Sequence, residues 1–248
     1  MFLLLSVIAF AQPKHYSVAN AHSHNDYEQD TPFYKAYNAA FGSIEADIFL
    51  IKGRLIVAHD TNEVKKNRSL EDYYLKPLLA FVDKNKGAPF AEAGKKLQML
   101  IDVKTDPLNT LDSLITLLKR YRLLSNNKAI QWVVTGNRPP GSTFTSYPSF
   151  IWFDALAFED YQAAALRKIV MASDDFKNYS EWNGEGKLPG ADFKKLTATV
   201  KKWHALHKHV RFWDAPDNAN AWLQFMDLGV DYINTDHIAA LATFLQRK

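Results

Sequence analysis

The stretch "SIEADIFLIKGRLIVAHD", residues 43 to 60, holds two apolar runs and two acids placed where acids carry a desolvation cost. Successive strand residues point to opposite faces, so Glu45 and Asp47 share one face of the first run while Ile44, Ala46 and Ile48 share the other. Lys52-Gly53 is a hairpin signal, which predicts that Leu55 to His59 folds back beside the first run and ends at His59-Asp60. If the strand belongs to a closed barrel, those two carboxylates face its interior and are desolvated. Such carboxylates repel unless a cation or a basic side chain shares their site.

Working outward, similar runs recur at 16 to 21, 97 to 103, 130 to 135, 151 to 157, 168 to 173, 210 to 215 and 231 to 236. Most are separated by helical patterns, clearest at "TLDSLITLLKRY", "ADFKKLTATVKKWHALHK" and "NANAWLQFMDLG". Alternation of this kind is how a parallel sheet with crossover helices is written. In the second helix Phe193, Leu196, Val200, Trp203 and Leu206 recur at three- and four-residue steps and are expected to form the buried stripe. Eight such units in a chain of 248 residues fit an α/β fold of the TIM (β/α)8 barrel class. No repeat, low-complexity tract or linker divides it, so residues 12 to 248 are expected to form a single domain. The short connection from the fifth strand to the sixth predicts one degenerate outer helix.

Composition narrows the function. The 30 basic and 27 acidic side chains leave a net charge of +3, and the basic residues are dispersed along helices without forming a block, which argues against nucleic acid. No cysteine is present, so disulfides, thiolate zinc sites and lipoprotein anchoring are excluded. Residues 1 to 11 end in Ala9-Phe10-Ala11, the small-x-small pattern of a signal peptide, and the run is too short to span a bilayer. The expected mature chain begins near Gln12, is secreted or periplasmic, and makes no stable membrane insertion. The alternative for that segment is a buried first strand. The sequence assigns no oligomeric state.

In a TIM barrel the active site forms where strands end, so the closing residues matter most. The first strand ends in "AHSHNDY" (21 to 27), the second carries Glu45 and Asp47, the hairpin ends at His59, and the third closes in Asp102-Val103-Lys104. Later strands contribute Arg138, Asp154, Asp174, Trp213 and Asp236. Glu45, Asp47 and Asp102 are three carboxylates that suit one hard divalent cation, Mg²⁺ or Ca²⁺. The bland alternative pairs Glu45 and Asp47 with lysines or arginines inside the barrel.

The ordered set "AHSHN", "SIEADIFL", "LIVAHD", "LIDVKTD" and "LGVDYINTD" resembles the phosphatidylinositol phospholipase C-like phosphodiesterases, which include glycerophosphodiester phosphodiesterases and sphingomyelinase D. "HSHNDY", "WNGEG" and "RFW" resemble the branch named for the altered inheritance of mitochondria protein 6. The resemblance implies a phosphoric diester hydrolase acting on a small-molecule or lipid phosphodiester. It implies that Glu45, Asp47 and Asp102 hold the ion, with Asn25 as a fourth ligand, and that His22 and His59 are the acid/base pair. The spacing of His22 to Asn25 matches the sphingomyelinase D pattern, which favours His22 over His24. The resemblance further implies that Lys104 contacts the phosphate and that Trp213 and Asp236 line the top of the barrel; Arg138, at a strand end, is taken as a further substrate contact. The expected reaction passes through a cyclic phosphate. The His-Arg-Gly and Pro-Glu-Asn-Thr signatures of typical glycerophosphodiesterases are absent, so the substrate does not carry over.

Two rivals stand beside this reading. An amidohydrolase-type barrel would use His22, His24 and Asp236 as metal ligands, but it leaves Glu45, Asp47 and His59 without a role, and His204 and His207 lie in a helix. A barrel that binds anionic lipid or phosphate without turnover is the other. "EWNGEGKLPG" (181 to 190) is expected to be a loop over the site, and Asp26 and Tyr27 are read as loop-capping residues.

Overall fold

Strands form where the Val/Ile/Phe-rich runs can bury both faces. The computed structural model describes Pro13 and residues 15–247, so the expected signal peptide lies outside the described residues. The strands are β1 (Ala21–Ser23), β2 (Ser43–Ile51), β3 (Arg54–Val57), β4 (Leu97–Val103), β5 (Ile130–Gly136), β6 (Ile151–Leu156), β7 (Ile169–Asp175), β8 (His209–Trp213) and β9 (Ile233–Thr235). They are ordered β8-β7-β6-β5-β4-β2-β1-β9, with β3 lying antiparallel beside β2 as the hairpin signal predicts. All pairings along that path are parallel. A bridge between Arg211 and Tyr232, and a 3.0 Å hydrogen bond from the Asp231 amide to the Val210 carbonyl, bring β8 against β9. Eight parallel strands thus make a nearly closed barrel.

The outer layer comprises α1 (Tyr34–Asn38), α2 (Lys76–Lys84), α3 (Pro107–Arg120), α4 (Arg122–Ser125), α5 (Ala163–Leu166), α6 (Gly190–Ala205), α7 (Ala219–Leu228) and α8 (Ile238–Gln246). Asp106 caps α3 by accepting the Asn109 amide, with Pro107 in the first turn, where its missing N–H costs nothing. In α6 the middle of the expected stripe, Leu196, Val200 and Trp203, is buried. Phe193, in the first turn, and Leu206, the residue after the helix, are 36% exposed. The connection from β6 to β7 holds only the four-residue α5, as its length predicts, and the β5 to β6 connection carries a 3-10 segment, Gly141–Ser146, in place of a helix.

The first strand differs from its expected span of 16 to 21. Ser17 and Asn20 form a reciprocal capping box around a 3-10 turn at Val18–Asn20, so the chain joins the sheet only at Ala21. His22 therefore lies on the strand itself, and His24 opens the turn after it.

The interior parity of the strands explains where the site lies. Leu100, Val133 and Met171 form a small apolar cluster of their own. Two residues further along each strand, on the same face, stand Asp102, Thr135 and Ser173. The barrel is thus plugged by hydrocarbon below and polar toward the carboxyl ends of its strands.

Candidate active site

Asp47 and Asp102 face each other across the β2–β4 pair, and Glu45 sits two residues below Asp47 on the same face. One ligand oxygen from each of the three lies within 4.8 Å of the others, although no other residue type contributes to that group. Lys104 reaches over both aspartates, its Nζ 2.9 Å from Asp47 Oδ2 and 2.8 Å from Asp102 Oδ2. The Oδ1 atoms of Asp47 and Asp102 are buried with no hydrogen-bond partner. Buried carboxylate oxygens left unsatisfied are costly in a protein that needs them for nothing else, and a hard cation is the partner their chemistry fits. Burial, with the charges of Glu45 and Asp102, pushes the Asp47 carboxyl up to about 8 despite Lys104. Asp102 is raised by burial as well. The neighbouring strand makes room for this group: Gly136 has φ +70°, and a Cβ there would stand 1.9 Å from Asp102 Oδ1.

Beneath the aspartates runs a second, closed network. His22 is 0% exposed, with Nδ1 2.7 Å from Ser43 Oγ and Nε2 2.7 Å from Glu45 Oε2. Gln98 donates its amide to Ser43 Oγ at 2.9 Å, so the Ser43 hydroxyl is free to donate to His22 Nδ1. Arg211 Nη1 also stands 2.7 Å from His22 Nε2, so that nitrogen is shared between Glu45 and Arg211. Burial, reinforced by the Arg211 charge, lowers the His22 pKa to about 4, which keeps the ring neutral. Arg211 donates from Nη1 to the same Glu45 oxygen at 2.7 Å and to Asn234 Oδ1 at 3.1 Å. Although burial alone would raise the Glu45 carboxyl, Arg211 and His22 hold it well below the usual carboxylate range.

The rim carries the remaining groups. Tyr27 extends its hydroxyl to within 2.8 Å of both Asn25 Oδ1 and Asp47 Oδ2, and 3.1 Å from His59 Nδ1. His59 is 59% exposed at the side chain, and its Nδ1 is 4.0 Å from Asp47. Asn25 holds the left-handed conformation that Asn tolerates better than most residues, turning the chain after the strand. Asp26 caps that turn, accepting from the Phe33 amide and from the Ser23 and Tyr74 hydroxyls, as the loop-capping reading expects. His24 donates from Nδ1 to Asp236 Oδ1 at 2.9 Å. Burial lowers the His24 pKa, but the hydrogen bond to Asp236 and the charge of Glu45 outweigh it, and the net shift is upward.

The expected residues thus separate into groups. Asp47, Asp102, Lys104, Asn25 and His59 are linked through direct contacts or through Tyr27, and Glu45, with an oxygen within 4.8 Å of both aspartates, joins them to the network below. His22 lies below them in the closed network. Asp236 is tied to His24, and Trp213 is 39% exposed at the end of β8. The Arg138 guanidinium donates to the Asp154 backbone carbonyl, so it braces β6. The loop 181 to 190 is strapped to α7: Asn220 donates to the carbonyls of Gly184 and Gly186, and Gln224 accepts from the Leu188 amide. Tyr27 and Arg211 are the participants that the sequence reading left without a chemical role. A charge on a five-residue apolar strand, sharing parity with Trp213, was the available signal for Arg211.

When all three carboxylates are ionised they face two cations, Lys104 and Arg211. A divalent ion would turn that balance positive, which suits an anionic diester. His24 and His22 do not assemble with Asp236 into a three-ligand metal group among the described residues, and His204 is paired with Asp231 at 2.8 Å. The geometry therefore departs from the amidohydrolase pattern.

Known proteins agree with this architecture. Residues 14–131 match the AIM6-like phosphodiesterase domain, and residues 209–239 match the glycerophosphoryl diester phosphodiesterase family. Altered inheritance of mitochondria protein 6 of Kluyveromyces lactis is 24% identical, over 92% of this chain and 72% of that protein. The homologue from Arthroderma benhamiae is also 24% identical, over 88% of this chain and 81% of its own. A glycerophosphodiester phosphodiesterase from Parabacteroides distasonis shares the fold with a TM-score of 0.60 at 16% identity, covering 92% of this chain and 97% of that one. The chain is thus similar to the AIM6-like branch of the glycerophosphodiester phosphodiesterase-like superfamily of phosphoric diester hydrolases, and it shares the fold of that superfamily's solved members.

Proposed function

We propose that the protein cleaves a small-molecule or lipid phosphodiester with one divalent cation, Mg²⁺ or Ca²⁺, held by Glu45, Asp47 and Asp102 with Asn25 beside them. The observation that carries this reading is the approach of Glu45, Asp47 and Asp102, one carboxylate oxygen from each within 4.8 Å of the others, with the Oδ1 atoms of both aspartates buried and unpartnered. The bound ion supplies charge neutralisation at the non-bridging phosphate oxygens. Lys104 adds a fixed positive charge to the same oxygens. His59 at the rim and a histidine of β1 are the acid and base, each contributing roughly 10²- to 10⁴-fold. Attack by an adjacent substrate hydroxyl gives a cyclic phosphate and releases the alcohol.

The test is alcohol release from glycerophosphodiesters, lysophospholipids, phosphatidylinositol and an activated aryl diester, with Mg²⁺, Ca²⁺ or chelator, and with His59→Ala in parallel. Turnover that requires a divalent ion and disappears in the variant is expected. A protein that binds the ion but leaves every diester intact would sink the reading and favour the non-catalytic or amide-hydrolysing alternatives.

A further inference from the structure

Two histidines close β1, and the structure treats them differently. His22 is fully buried, and both of its ring nitrogens are engaged, Nδ1 by Ser43 and Nε2 by Glu45. A diester could reach neither nitrogen without dismantling the buried network of Gln98, Ser43, Glu45 and Arg211. The register of β1 on β2 pairs His22 with Ser43, two residues below Glu45 on the same face of β2, whereas His24 follows the last strand residue, Ser23, in the turn beyond it. His24 keeps 25% of its side chain open. Its Nδ1 is held by Asp236, and its Nε2 makes no hydrogen bond among the described residues.

Asp236 is itself held in place. Its amide donates to Asp217 Oδ2 at 2.8 Å, its carbonyl accepts from Gln29 at 3.0 Å, and the Thr235 hydroxyl donates to the same Asp217 oxygen at 3.0 Å. The His24 amide donates to the Thr235 carbonyl at 3.0 Å, so the two loops are joined through backbone as well as side chain. A carboxylate that binds one imidazole nitrogen fixes the ring's orientation and tautomer and leaves the other nitrogen for a reacting group.

We infer that His24, oriented by Asp236, is the β1 histidine that exchanges a proton with the substrate, and that His22 is a positioning residue that holds Glu45. The inference rests on the phosphodiesterase reading for the identity of the substrate, but not for the accessibility it asserts. With His24 acting as acid, the P–O bond to the leaving alcohol breaks as Nε2–H passes its proton to that oxygen. With His24 acting as base, Nε2 takes the proton of the attacking hydroxyl as the new P–O bond forms.

The experiment combines three readouts on full-length protein and its His24→Ala, Asp236→Asn and His22→Gln variants. In the first, carbethoxylation by diethyl pyrocarbonate is mapped by mass spectrometry, and wild type is expected to be modified at His24 and spared at His22. In the second, calorimetric titration with Ca²⁺ is expected to show affinity within threefold of wild type for His24→Ala and weakened at least tenfold for His22→Gln. In the third, His24→Ala is expected to lose about 10²-fold or more in kcat on an alkyl diester. The same variant should lose far less on an aryl diester if His24 is the acid, and equally on both if it is the base. Asp236→Asn should lower kcat with little change in KM. Modification of His22 ahead of His24, a tenfold loss of Ca²⁺ affinity in His24→Ala, or alkyl turnover by His24→Ala within threefold of wild type would each overturn the inference. If wild type cleaves no diester, the phosphodiesterase reading fails by itself, and the first two readouts still decide which histidine faces the site.

Discussion

Nε2 of His22 lies 2.7 Å from Oε2 of Glu45, and neither side chain is open to solvent. This contact links the stability of the barrel to pH. The folded-state pKa of His22 is lowered to about 4, so between pH 6.5 and 4 the unfolded chain binds a proton that the folded protein refuses. Stability from this group is present above pH 6.5 and is lost as pH falls toward 4, by about 3 kcal/mol at roughly 1.4 kcal/mol per unit. Asp26, raised to about 6 by burial, acts in the opposite sense over part of that range, so the clean readout is a difference. Urea midpoints of wild type and His22→Gln at pH 7 and 4.5 should show a smaller acid loss in the variant; parallel losses would refute the assignment.

Gly136 is a steric requirement of the acidic group formed by Glu45, Asp47 and Asp102. Its φ of +70° disfavours any side chain, and an added Cβ would meet Asp102 Oδ1 at 1.9 Å and the Val103 carbonyl at 2.7 Å. Gly136→Ala is expected to destabilise the fold by about 1–2 kcal/mol. It should also weaken Ca²⁺ binding at least tenfold by displacing the carboxylate. Chemical denaturation and calorimetry measure both, and unchanged Ca²⁺ affinity would remove Asp102 from the ligand set.

Asp47 should make ion binding depend on pH. With its carboxyl raised to about 8, the ion-free protein holds a proton there at neutral pH, and a bound cation must displace it. Affinity is expected to rise by up to about tenfold per unit as pH increases toward 8 and to level off above it. Calorimetry in buffers of different ionisation heat should detect proton release at pH 7. In the same protein without ion, Asp47→Asn removes a buried carboxyl that the fold keeps protonated and the unfolded chain ionises, and should stabilise by on the order of 2 kcal/mol, a gain of the kind that functional sites forgo. Loss of stability in that variant would contradict the raised Asp47 pKa.

Tyr27 ties three site groups through one oxygen. Tyr27→Phe removes the contacts to Asn25, Asp47 and His59 while keeping the buried ring. A stability loss of about 1 kcal/mol is expected from the missing hydrogen bond. Turnover should fall by about tenfold, mainly in kcat, because the His59 ring loses the group that orients it. A change confined to KM would assign the hydroxyl to substrate binding instead.

Much of this protein follows from local pattern. Apolar runs bounded by turn residues mark the strands, Lys52-Gly53 marks the hairpin, and the i, i+2 spacing of Glu45 and Asp47 places both acids on one face, because side-chain direction on a strand is a property of the chain alone. The acidic layer, with Asp102 opposite Asp47, needed only the order of neighbouring strands. What local pattern could not supply was depth. Whether His22 or His24 meets solvent depends on the exact residue at which β1 joins the sheet, and that was set by the Ser17–Asn20 capping box and by pairing with β2 and β9. Arg211 reaches Glu45 across 166 residues of sequence, and Asp236 reaches His24 across 212. Such pairs form because closing a barrel brings its first and last strands together. Their energies arise from burial that no short stretch of sequence contains.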